Sequence, residues 1–291
     1  MSGLSWCCCS AGRPELLVRK TLATLARGNF QGSLYVVVPS EELVVYTQAL
    51  KDAPVHCILM HCAKGLTNQR RFFREQMLPD TEIVFIDDDV EAIKLLTPTG
   101  LVHCHNVDFL ANYVFQAMKY RGDDCLLAGV YPMCNRDFQT RTIVDGHAYI
   151  VGALYFIRNR EEVVDPPGDE CEDHYRQLHE LASGRPTLRF NFIGIQTQYW
   201  KNPGGLQTER SVAKRVAAID DLCQKFPGLV KRCVRRNEKV DIRYIKRPTR
   251  WEAAPVPASD LAAPEPSPDL STASADPPVL SSLTDLSGQA Q

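Results

Sequence analysis

Three consecutive carboxylates, Asp87, Asp88 and Asp89, follow the apolar run Ile83-Val84-Phe85-Ile86. That run reads as a buried strand, and open α/β sheets bind their ligands beyond the carboxyl ends of their strands. Adjacent carboxylates repel one another unless positive charge sits between them. A hard divalent cation such as Mg²⁺ or Mn²⁺ meets that need, because it prefers carboxylate and phosphate oxygens. In an extended chain Asp87 and Asp89 point to one side and Asp88 to the other. The chemistry expected is therefore a cation on Asp87 and Asp89 that neutralises a diphosphate. The plainer alternative is a solvated acidic turn.

Three further segments carry groups suited to the same work. Lys64-Gly65-Leu66-Thr67-Asn68-Gln69-Arg70-Arg71 enters a predicted helix. Backbone N–H groups and the dipole at such a start favour anions, and the G-x-x-x-x-G-K pattern of a Walker loop is absent. Cys171-Glu172-Asp173-His174 places two carboxylates at another helix start, where the dipole keeps them ionised. Asn202-Pro203-Gly204-Gly205 is a turn that lets backbone approach a ligand closely, with Tyr199 and Trp200 before it and Arg210 after it. Two zinc-like groupings, His103-Cys104-His105 and Cys57/His61/Cys62, lack a second pair at ligand spacing and read as ordinary residues.

The elements that must position these groups follow from the hydrophobic pattern. Helices are expected over Arg13–Ala26, Glu41–Leu50, Asn68–Met77, Val107–Lys119, Asp169–Leu181 and Glu209–Lys225. Strands are expected over Ser33–Pro39, Val55–Met60, Thr81–Ile86, Cys125–Tyr131, Ala148–Ile157, Leu188–Ile195 and Lys239–Ile245. The β-α-β-α-β alternation of the first 90 or so residues argues for a parallel, doubly wound sheet.

The chain has 291 residues and a formal net charge of −2. Residues 252–291 hold six acids, Glu252, Asp260, Glu265, Asp269, Asp276 and Asp285, with no Lys or Arg and no aromatic residue. Such a segment cannot bury enough apolar surface to fold, so a disordered acidic tail is expected there. Lys231 to Trp251 is basic, which suits either a phosphate backbone or a solvated face paired with the tail. Residues 1–12, with Cys7, Cys8 and Cys9, read as a flexible leader bearing free thiols. No run approaches the length of a membrane span, and no secretory leader is evident, so a cytoplasmic or nuclear setting is expected.

In order along the chain, the Arg19-Lys20-Thr21-Leu22 opening, SLYVVVPSEE, KGLTNQRRF and VFIDDDV resemble the start of a GT-A glycosyltransferase. Gly129-Val130-Tyr131-Pro132 with Asn135, the strand with Gly152, Glu172-Asp173, and Asn202-Pro203-Gly204-Gly205 with Arg210 extend the match. The ordered set is most similar to the TET/JBP-associated glycosyltransferases, over roughly Pro14 to Ile245. The relatives of that family include phage enzymes acting on hydroxymethylated bases, the base J glucosyltransferase and the GREB-type C-terminal domain.

The resemblance implies a single GT-A domain over residues 13–251, with a Rossmann-like, mainly parallel sheet and flanking helices. It implies Mn²⁺ or Mg²⁺ on Asp87 and Asp89, with Asp88 near the ribose or sugar of a nucleotide-sugar donor. Lys64, Gly65 and Arg70 would lie near the nucleotide, and Gly204, Gly205 and Arg210 would close on it. Asp173, with Glu172 as second choice, would be the general base. The activity implied is inverting transfer of a hexose, from a UDP-sugar, to a hydroxyl, with a hydroxymethylated pyrimidine in DNA as favoured acceptor. The alternatives are a protein Ser/Thr acceptor, a nucleotidyltransferase, and an inactive domain that binds nucleic acid or a partner.

Overall fold

A computed structural model describes residues 3–198, 211–235 and 239–251. Its centre is a mixed sheet flanked by helices. β1 (Leu4–Cys9), β2 (Leu34–Pro39), β3 (Cys57–Cys62) and β4 (Glu82–Asp87) pair in parallel, in the spatial order β3-β2-β1-β4. β9 (Leu154–Arg158) runs antiparallel between β4 and β7 (Leu127–Tyr131). β10 (Thr187–Thr197) then pairs in parallel with β7. The edge beyond is antiparallel: β8 (Ile143–Asp145) and β13 (Thr249–Trp251). β5 (Val90–Thr97) and β6 (Gly100–His103) form a hairpin that pairs with the far half of β10. The fold class is thus the expected α/β type with a mainly parallel sheet.

The expected flexible leader is not what the chain builds. Leu4–Cys9 is an inner strand with parallel partners on both sides, and Cys7 and Cys8 are fully buried. Alternation explains its fit. Trp6 and Cys8 join one apolar face with Val36, Val38, Val84 and Ile86, and Cys7 and Cys9 join the other with Val37, Ile83 and Phe85. The first face is covered by α1 (Pro14–Leu17) and α2 (Ala23–Arg27), which a π turn over Val18–Leu22 joins into one rod. α3 (Leu43–Ala49) and α5 (Val107–Arg121) complete that cover. α4 (Leu66–Gln76) covers the second face through Phe73.

α6 (Glu172–Ala182), α7 (Val212–Lys225) and the hairpin of β11 (Val230–Val234) and β12 (Val240–Tyr244) share a smaller apolar cluster, including Leu178, Ile219, Leu222 and Ile242.

The strand expected over Ala148–Ile157 is shorter, beginning at Leu154. The backbone before it is held largely by side chains, Gln177 foremost. Gln177 Nε2 donates to the carbonyls of Gly146 and Ala148, and Gln177 Oε1 accepts from Ile150 N–H at 3.1 Å. α6 starts later than expected, because Cys171 takes a left-handed conformation (φ 55°) just ahead of it.

Candidate active site

The acid triplet does not continue as extended chain. Asp87 ends β4, and Asp88-Asp89 form the turn into β5, so strand alternation does not decide where their side chains go. Thr21, in the π turn of the first helix, fixes that turn from both sides. Its hydroxyl donates to Asp87 O at 2.6 Å and accepts from Val90 N–H at 3.0 Å.

Asp88 points inward and is 0% exposed. It accepts from Ser10 Oγ at 2.6 Å and pairs with Arg13 Nη2 at 2.6 Å. Burial still pushes its carboxyl up to about 6, against the pull of Arg13. The expected ribose or sugar contact through Asp88 is therefore corrected: a side chain enclosed by Ser10 and Arg13 anchors the turn. Asp89 accepts from Thr197 Oγ1 at 2.8 Å, at the end of β10. The Asp87 side chain is 34% exposed and pairs with Arg70 at 2.9 Å. Desolvation pushes it up to about 7, with Arg70 opposing.

Arg70 joins the two acid motifs. From the second turn of α4 its Nη2 reaches Asp87 and the carbonyl of Gly152, at 2.9 Å each, and its Nη1 reaches Glu172 at 2.5 Å. Its guanidinium lies over the Tyr155 ring, 5.1 Å from the centroid. The nucleotide contact expected of Arg70 is thus replaced by an internal strut, while Arg71 is exposed and bonds Asn68. Gly152 is required by close approach, since a Cβ there would lie 2.5 Å from Glu172 Oε1.

Glu172 and Asp173 divide sharply. Glu172 is buried between Arg70 and Arg176, one carboxylate oxygen to each. The two guanidiniums outweigh burial and hold it down at about 2. A carboxylate so committed does not accept a proton near neutrality, which removes Glu172 as the second-choice base. Asp173, the next residue, is partly exposed. Its Oδ2 accepts a hydrogen bond from Tyr149 Oη, and its Oδ1 accepts from His174 N–H at 2.8 Å. Tyr149 in turn stacks on His174, with ring centroids 4.5 Å apart.

Lys64 and Gly65 line a cleft of about 280 Å³ with Asn68, Arg71, Pro167 and Asp169. Gly65 precedes α4 with φ 122°, a conformation that favours glycine. The helix-start amides expected to face a donor phosphate are already bonded. Asp169 Oδ1 accepts from Thr67 N–H at 2.7 Å, and Asp169 Oδ2 from Leu66 N–H at 3.2 Å. Gly204, Gly205 and Arg210, with Tyr199 and Trp200, lie outside the described residues.

The partners Ser10, Arg13, Thr21, Tyr149, Asp169 and Arg176 escaped the sequence reading. Of these, Thr21 lies in the Arg19–Leu22 opening and Tyr149 in the expected strand with Gly152, and the other four lie outside the motifs.

The basic segment is partly neutralised from within. Arg232 pairs with Asp220 at 2.9 Å, and Asp241 takes Arg215 and Arg235. Lys231 and Arg243 are exposed and stand directly opposite each other across the hairpin.

Among the described residues no helix is long and apolar enough to cross a membrane. No family model matches the chain, and no curated protein matches it. Among solved structures it is similar to CMP:2-keto-3-deoxy-manno-octonic acid synthetase complexed with CTP, at 11% identity and a TM-score of 0.41. That match covers 65% of this chain and 89% of the other. A second similarity is to 4-diphosphocytidyl-2C-methyl-D-erythritol synthase from Anaerococcus prevotii DSM 20548, at 10% identity and a TM-score of 0.40, over 68% of this chain and 94% of the other.

Proposed function

We propose that this protein is a metal-dependent glycosyltransferase that moves a hexose from a nucleotide sugar, a UDP-sugar in the first instance, to an acceptor hydroxyl. The observation that carries the reading is the Arg70 strut, which draws the strand-end Asp87 and the Glu172-Asp173 helix start to one place. A donor diphosphate and an attacking hydroxyl need such a juxtaposition.

Asp87 and Asp89 suit Mg²⁺ or Mn²⁺. Both offer hard oxygen donors, and among the described residues no group of three His, Cys, Asp or Glu is poised to hold a metal unaided. These cations are commonly held by one or two carboxylates, with substrate phosphates and water completing the shell. When bound, the cation would supply charge neutralisation for the departing diphosphate.

Asp173 takes the proton from the acceptor hydroxyl. Tyr149 Oη and His174 N–H hold one oxygen each and fix the carboxylate's orientation, and its remaining lone pairs can take that proton. The hydroxyl oxygen forms a bond to the anomeric carbon as the bond from that carbon to the diphosphate oxygen breaks. The nucleoside diphosphate leaves with the electron pair, and one displacement inverts the anomeric centre. The acceptor we favour is a hydroxymethylated pyrimidine in DNA, supported by the exposed Lys231–Arg243 pair on the hairpin. A base inside a duplex is out of reach, so single-stranded or flipped substrate is required.

The test is incubation of the full chain with Mn²⁺, a panel of nucleotide sugars and, in parallel arms, hydroxymethylated single-stranded DNA read by nucleoside mass and a Ser/Thr peptide read by peptide mass. A hexose increment that disappears on chelation is the expected result. A hexose on a Ser/Thr peptide instead moves the acceptor to protein. A nucleotide adduct replaces the reading with nucleotidyl transfer, and no change in any arm overturns it.

A further inference from the structure

Arg189, on β10, differs from the other arginines of this region. It is partly buried, and its hydrogen-bond acceptors are neutral: Nε donates to Asn191 Oδ1 at 2.8 Å, and Nη1 donates to the Tyr149 carbonyl at 3.1 Å. Its guanidinium lies 5.1 Å from the centre of the Tyr131 ring. Among the described residues no carboxylate pairs with it, whereas Arg13, Arg70 and Arg176 each pair with an acid. Removing a charge from water without an opposite charge is costly. Consistently, burial lowers the pKa of Arg189 from its ordinary value.

The surroundings favour an anionic ligand with a flat apolar part. Tyr131, Tyr149 and Tyr244 are all partly exposed. Tyr244 Oη donates to Gln177 Oε1 at 2.9 Å, and His147 stands edge-on to the Tyr244 ring with its buried Nδ1 unpartnered. Tyr149 spans the distance to the chemistry: its carbonyl receives Arg189 and its hydroxyl holds Asp173. The hairpin adds cationic surface: β12, which ends in Tyr244, sets exposed Arg243 directly opposite exposed Lys231, on the face turned away from Tyr244. Like charges facing each other across a strand pair are unfavourable in the free protein and are relieved by a polyanion.

We propose that Arg189, with Tyr131 and Tyr149 around it, is the phosphate-binding part of the acceptor subsite, taking the phosphate of a nucleotide unit whose hydroxyl faces Asp173. A planar guanidinium offers two parallel donors to a phosphate, and tyrosine faces stack bases with little regard to sequence. The word acceptor rests on the transferase reading; the phosphate site does not.

The test is calorimetric titration of the full chain, without metal or nucleotide sugar. The ligands are deoxycytidine 5′-monophosphate, deoxycytidine, inorganic phosphate and a phosphoserine peptide. The monophosphate is expected to bind at least about ten-fold more tightly than the other three. Arg189→Gln is expected to erase its advantage over deoxycytidine, and Arg189→Lys to restore part of it. Should Arg189→Gln melt early, Tyr131→Leu reads the same site, and the advantage over inorganic phosphate is expected to fall. Arg71→Gln, in the cleft at the start of α4, is expected to leave monophosphate binding in place; its loss there would assign the phosphate to that cleft and overturn the proposal. Equal binding of deoxycytidine, inorganic phosphate or the phosphoserine peptide overturns it as well, as does an unchanged advantage in a folded Arg189→Gln protein. If the chain transfers no sugar but these ratios hold, the transferase reading fails and the phosphate site stands.

Discussion

The acid turn after β4 and the acid pair at the start of α6 each set an inward carboxylate beside an outward one. In the first, Asp88 is enclosed by Arg13 and Ser10 while its neighbour Asp87 stays partly open. In the second, Glu172 is enclosed by Arg70 and Arg176 while Asp173 faces Tyr149 at a partly open surface. One difference decides their electrostatics. Asp88 has one guanidinium in pairing contact, and burial raises it to about 6; Glu172 has two, and they lower it to about 2. The lesson is that a run of acids is not a set of equivalent ligands. One member is committed to internal side-chain partners, and its neighbour stays partly open.

The largest effect should come from removing the outward acid of α6. Asp173→Asn is expected to lower kcat by about 10²- to 10⁴-fold while leaving donor affinity and the melting temperature unchanged. A mutant with full transfer activity would reassign the base. Removing its inward neighbour should instead destabilise the protein: Glu172→Gln leaves Arg70 and Arg176 buried with one acid fewer, costing about 3–5 kcal/mol in urea denaturation. If Glu172→Gln is as stable as the parent, the two acids do not divide as described.

Acid titration sharpens the same contrast. The folded-state pKa of Glu172 is depressed from 4.5 to about 2, so its contribution is fully present above about 4.5 and is lost as pH falls towards 2. Stability of the parent should therefore decline over that window more steeply than that of Glu172→Gln. Parallel slopes would show that the bracket of two arginines contributes nothing to folding.

Tyr149→Phe, which frees one oxygen of Asp173, should lower kcat by about ten-fold, with KM for the donor unchanged. A change confined to KM would place Tyr149 in donor binding. The smallest effect belongs to the loop acid on α4: Asp169→Ala removes a carboxylate cap from two helix-start amides and should cost about 1 kcal/mol, read by thermal melting.

Much of the frame was legible because it is written in local chemistry. The β-branched and aromatic runs of β2 and β4 announce buried strands, and both acid motifs stand out by type. β1 was misread because LSWCCC puts tryptophan and thiols where valine and isoleucine usually signal a strand, although cysteine is as readily buried. β5 and β6 went unmarked because VEAIKLLT satisfies a helical period as well as an alternating one. The strand over Ala148–Ile157 was drawn too long because apolar content alone cannot show that Gln177, on a later helix, binds that backbone. The roles of Asp88 and Glu172 were hidden for a related reason. Arg13 and Arg70 lie far before their acids in the chain, where no spacing rule connects them, whereas Arg176 stands at the helical i,i+4 spacing from Glu172.

The three sulfhydryls of β1 provide a reporter native to the protein. They sit across the middle of the sheet, and burial pushes the Cys7 and Cys8 thiols well up from their ordinary range. An alkylating reagent meets Cys7 only when α4 lifts from its face of the sheet, and Cys8 only when the helices on the other face lift. Their labelling rates therefore time the opening of each helical layer, with no dye or tag attached.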